Sequence, residues 1–151
     1  MEEILFALAW LVFPLVIGAL LVPNQGEQIA LEALVNKTAP QNLVLRLFKN
    51  NVTPAEGDTE ANYTEADFTG YSAITLTGAN WTVTTGAPSE ASYAQQTFSS
   101  SANQAAQNIY GYYLTQVTSG KLVWAERFTD GPYPIANNGD QIKVTPKITL
   151  E

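Results

Sequence analysis

From Asn42 onward, apolar residues recur at every second position between clusters of turn formers, and this alternation restricts the chain more than any other feature. Leu43, Leu45 and Leu47 alternate with Val44, Arg46 and Phe48 ahead of Asn50-Asn51, the pattern of a strand with two unlike faces. Further strands are expected over 71–77, 81–85, 93–99, 109–117, 122–128 and 141–150. Glycine, proline, asparagine and serine separate them at 77–80, 86–89, Ser119-Gly120, 130–132 and 137–140. Ser119-Gly120, between two long strands, marks a hairpin. Pro146 has no N–H to give a ladder, which confines the last strand to a sheet edge or to pairing with another subunit. Short strands at this spacing, with no helical period, predict an all-β domain over residues 42–151: an antiparallel β-sandwich, jelly-roll-like, of about seven or eight strands.

Two unlike segments precede it. Residues 24–41 read as a short helix and a linker. Asn24 or Gly26 can cap the helix, Glu27 suits its positive end, and Ile29, Leu31, Ala33, Leu34 and Val35 supply apolar contacts. Pro40 stops it. Residues 1–23 hold an apolar run from Ile4 to Val22, fenced by Glu2-Glu3 and by Pro23-Asn24. As a helix that run spans about 28 Å, close to the hydrocarbon thickness of a bilayer. It reads as a membrane anchor or signal, as a reading frame extended upstream of a start at Leu20 or Leu21, or as a plug buried in an assembly. The acidic Met-Glu-Glu opening fits a cleaved signal poorly.

Composition removes several chemistries. The chain has no histidine and no cysteine, so the Ser-His and Cys-His nucleophile pairs, disulfides and the usual zinc ligands are all absent. Its net charge is −7 and its seven Lys and Arg residues are scattered singly, leaving no basic stripe for nucleic acid. Phosphate-loop and dinucleotide glycine motifs are missing. Paired carboxylates alone could serve a glycosidase, with Glu126, Asp130 and Asp140 as candidates, but their places near strand ends suit a neighbouring ion pair and two turns. Glu56, Asp58, Glu60, Glu65 and Asp67 lack the ordered spacing of a calcium loop and read as a solvated acidic loop. The chain is therefore expected to be no enzyme and to carry no cofactor or metal.

Aromatic residues are the remaining candidates for recognition. Trp81 and Trp124 read as core, whereas Tyr112 and Tyr113 alternate, so that one of them is expected at the surface as an interface anchor. The last strand, with Ile142, Val144, Pro146, Ile148 and Leu150, presents an apolar edge that invites a second chain, although Lys143 and Lys147 could blunt it.

An ordered series of segments carries a family resemblance. Asn42-Leu-Val-Leu-Arg-Leu-Phe-Lys-Asn-Asn51, Tyr63-Thr-Glu-Ala-Asp-Phe-Thr-Gly-Tyr71, Ile109-Tyr-Gly-Tyr-Tyr-Leu114, Leu122-Val-Trp-Ala-Glu-Arg-Phe128 and Asn138-Gly-Asp-Gln-Ile-Lys-Val-Thr-Pro-Lys-Ile-Thr-Leu150 resemble small virion proteins of tailed bacteriophages, of the capsid decoration (cement) or fibre-like kind. The resemblance covers most of residues 24–151 and assigns no residue a chemical role. It implies a non-enzymatic virion protein whose partners are other virion proteins, such as the major capsid protein. It also implies a homo-oligomer, a trimer, with neighbours meeting the helix within Gln25 to Asn36 and the last strand. The alternative is an extracellular β-sandwich binding module held to a membrane through Ile4 to Val22.

Overall fold

The computed structural model describes residues 20–150. Most of the expected membrane segment, from Ile4 to Ala19, lies outside them. The described chain is mainly antiparallel β with a single α-helix, α1 (Asn24–Leu34). Eleven short strands follow among the described residues: β1 (Leu43–Phe48), β2 (Ile74–Leu76), β3 (Thr82–Thr84), β4 (Ser89–Ser92), β5 (Gln96–Ser99), β6 (Gln107–Ile109), β7 (Gly111–Gln116), β8 (Leu122–Arg127), β9 (Tyr133–Ile135), β10 (Gln141–Val144) and β11 (Lys147–Leu150).

The largest sheet has the order β2-β1-β7-β8. Alternation in β1 sorts its side chains onto two faces, as expected for a period of two. Leu45 and Leu47 enter the main core with Tyr112, Leu114 and Trp124, while Phe48 enters a smaller core with Tyr63, Tyr113, Leu122 and Ala125. Because both faces are covered, β1 and β7 are almost wholly buried. The expected turn at Ser119-Gly120 joins β7 to β8, with Gly120 at φ 70°. The ladder slips beside it: Leu114 faces Trp124 but Thr115 faces Leu122. Val123 is thus an extra residue, and the bulge turns Leu122 and Trp124, two positions apart, into opposite cores.

The remaining strands form smaller sheets ordered β10-β5, β11-β4-β3 and β6-β9. Phe98, Ile109, Ile135, Ile142 and Val144 bring the first and last of these to the main core, and half-buried Ile148 of β11 packs against it. The expected strand over 141–150 is split by Pro146, whose carbonyl still accepts a hydrogen bond from the Tyr93 N–H at 2.9 Å. Across this break residues 93–95 face only residues 145 and 146, so the ladder resumes one residue out of step. Tyr110 breaks the expected 109–117 strand between the end of β6 and β7, and two further strands escape the sequence pattern. Ser89–Ser92 carries no large apolar residue yet is the central strand of its sheet. Tyr133–Ile135 follows Pro132 and contains Pro134, and it lies on the edge of a two-stranded ribbon where a missing N–H is tolerated.

Residues 20–23 pack onto the β-domain. Leu21 forms a bridge with Ala125 on the outer side of β8, Leu20 and Val22 pack against the main core, and Pro23 is fully buried. Among the described residues no helix is long and apolar enough to cross a membrane.

Candidate functional site

Helix α1 is attached to β8 by its first half. Gly26 lies so close that a Cβ there would overlap the Val123 carbonyl. The Leu122 N–H donates to Gln25 Oε1 at 3.1 Å, and the Asn24 N–H donates to the Glu56 carbonyl at 2.9 Å. Pro23 is the N-cap, and neither Asn24 nor Gly26 caps with a side chain. Ile29 and Ala33 turn inward and are half-buried. The other apolar residues expected to make contacts do not. Leu31 is 62% exposed, Leu34 82% and Val35 69%, because the last turn of α1 overhangs the sheet.

Beneath that overhang is a groove of about 500 Å³, lined by Ile29, Ala33, Leu43, Trp81 and Val123, with Lys121 at its rim. The helix end beside it is held in place by polar contacts. Gln28, Lys37 and Thr38 all donate to the Glu32 carboxylate, at 3.0–3.1 Å. These donors, Gln28 foremost, pull its pKa from 4.5 down to about 2. The backbone N–H groups of Lys37 and Thr38 also return to the Glu32 carbonyl, so the three exposed apolar side chains stand on a braced helix terminus.

The interface residues expected from the sequence distribute differently. Tyr112 and Tyr113 are each 4% exposed, so neither is a surface anchor; β7 is covered on both faces, which alternation alone does not reveal. The Tyr112 hydroxyl donates to Glu126 at 2.5 Å. Burial and this carboxylate raise its pKa well above the usual range, and burial pushes the Tyr113 phenol up to about 12. Ile142, Val144 and Pro146 are also buried in their own chain, Ile148 is half-buried, and of this set only Leu150 projects, beside Ala87 and Pro88. The edge of β11 away from β4 has no strand partner among the described residues.

Carboxylates expected in a solvated loop are largely tied down. Glu65 pairs with Arg46 at 2.6 Å and accepts from Tyr71. Asp67 pairs with Lys49 at 2.6 Å, which lowers its pKa, and Asp58 accepts from Tyr63 at 2.8 Å. Among the described residues, no three acidic side chains converge as a metal site would require. Of the candidate acids, Glu126 is engaged by Tyr112, Asp140 closes its own turn by accepting from the Ala136 and Asn137 N–H groups, and Asp130 is exposed in a turn. Trp81 and Trp124 meet edge to face, with Trp124 buried and Trp81 half-buried. Among the described residues, the apolar side chains at the end of α1, Val83 at 70% exposure and the backbone at the edge of β11 are surfaces open to a partner. No protein family model matches the chain, and no curated protein matches it.

Proposed function

We propose that this chain is a non-enzymatic structural protein of a bacteriophage virion, a capsid decoration or fibre-like component that docks by shape and apolar contact. The observation that carries this reading is the exposed row of Leu31, Leu34 and Val35 on a braced helix end. Large apolar side chains grouped beside a groove mark a contact surface more often than a solvated one. The segment resemblance supplies the setting: the major capsid protein or another virion protein beneath, and further copies of this chain alongside, in a trimer.

In this reading the small sheets form the second layer of a jelly-roll-like β-sandwich over β2-β1-β7-β8. Support comes from the main core, which gathers side chains from β1, β7 and β8 on one side and from β5, β6, β9 and β10 on the other. The alternative, an extracellular module held in a membrane through Ile4 to Val22, rests on the hydropathy of that run.

Mass spectrometry of purified particles from the phage that encodes the chain tests the choice. Recovery of peptides from residues 42–150 in stoichiometric amount supports the virion reading. Their absence from particles, together with recovery in the host envelope fraction, overturns it.

A further inference from the structure

We propose that Asn138 is a self-modifying site that the fold holds closed: it converts to aspartate or isoaspartate only in chains whose 136–140 loop has opened. Asparagine followed by glycine is the most reactive pair for this chemistry, because glycine has no side chain to shield its nitrogen. Asn138-Gly139 is the one such pair in the sequence. Both residues are exposed at a loop tip between β9 and β10.

The reaction needs only water. The Gly139 nitrogen, once its proton has passed to base, attacks Cγ of Asn138. The N–Cγ bond forms, the Cγ–Nδ2 bond breaks, and the amide nitrogen leaves as ammonia. Water then opens the resulting five-membered imide at either carbonyl. One opening gives aspartate; the other gives isoaspartate, with an extra methylene in the main chain. Nothing is oxidised or reduced.

Three features of the folded loop oppose the first step. The Gly139 N–H is already donated to the Ser100 carbonyl at 2.9 Å, which resists loss of its proton. The Asn138 N–H is donated to Asn103 Oδ1 at 2.8 Å, fixing the residue from its other side. The turn geometry completes the restraint. Asp140 N–H bonds to the Asn137 carbonyl at 3.2 Å, Gly139 has φ 89°, and Asn138 does not have positive φ. That combination is a type II turn, in which ψ of the first central residue is roughly +120°. Ring closure needs ψ of the opposite sign, which brings Cγ over the next nitrogen. The Asp140 carboxylate, accepting from Ala136 and Asn137, holds the turn in this form.

Isoaspartate cannot restore this pattern, because its longer backbone displaces Gly139 from Ser100. Each conversion therefore marks a chain that has opened between β9 and β10, and the isoaspartate product cannot close again.

The test is incubation of the full chain at mildly alkaline pH, folded and in guanidinium chloride, with isoaspartate at Asn138 followed by peptide mass spectrometry. The folded chain is expected to convert at least about tenfold more slowly than the unfolded one, the scale of modest local opening energies. Asn103→Ala, which removes one anchor, is expected to speed conversion several-fold while the tryptophan emission stays native. Should that variant fail to fold, the wild-type comparison still decides. Equal rates in the folded and unfolded wild-type chain overturn the proposal, as does an unfolded chain in which Asn138 reacts no faster than Asn103.

Discussion

Leu21 and Ala125 exchange two backbone hydrogen bonds of 3.0 Å, so Leu21, three residues ahead of α1, pairs with the outer edge of β8. A protein beginning at Leu20 is expected to be more stable than one beginning at Pro23 by about 1–3 kcal/mol, the scale for apolar side chains of this size partly removed from water. Equal denaturant midpoints for the two truncations would show that this bridge contributes nothing.

Gly26 is the contact on which α1 rests. Gly26→Ala, normally favourable inside a helix, is expected here to destabilise by about 2 kcal/mol, the usual scale for overpacking, since its Cβ meets the rigid Val123 carbonyl. Thermal unfolding of the variant checks this. A gain in stability would mean that α1 is free to move away from β8.

Glu32 gives the helix end a pH dependence. Its folded pKa lies below the ordinary 4.5, at about 2, so the stabilisation is fully present above pH 4.5 and is lost as pH falls toward 2. The carboxyl carbon of Glu32 is expected to titrate in NMR with a midpoint near 2, moving upward in Gln28→Ala. A wild-type midpoint near 4.5 would show that the three donors do not hold it.

Tyr112 donates to Glu126 across β7 and β8 at 2.5 Å. Tyr112→Phe is expected to cost about 1–3 kcal/mol, the range for a hydrogen bond to a charged group with its partner left unsatisfied. Chemical denaturation measures it. No loss would indicate that Glu126 turns to water in the variant.

How far the fold was legible depended on whether a residue's role is set within its own strand. Leu45 and Leu47 against Phe48, the turn at Ser119-Gly120 and the break at Pro146 follow from alternation and backbone chemistry. The burial of both Tyr112 and Tyr113 does not, because it requires a second small core built from Tyr63, far away in sequence. The bulge at Val123 has no local signal, and neither does Ser89–Ser92, whose place comes from the strands on either side of it. The α1 surface was hidden for the opposite reason. Leu31, Leu34 and Val35 look like core contacts, and only the position of the sheet reveals that they overhang it.

Cosedimentation of the full chain with particles that lack it tests the central claim most directly. The wild type is compared with a variant carrying Leu31→Ser, Leu34→Ser and Val35→Ser. These side chains are exposed, so thermal unfolding should change little, whereas burying each in an interface is worth about 1.5–3 kcal/mol. Occupancy of the particle by the variant is expected to fall at least about tenfold, and a variant that binds as well as the wild type would contradict the assignment of this helix end as the docking surface.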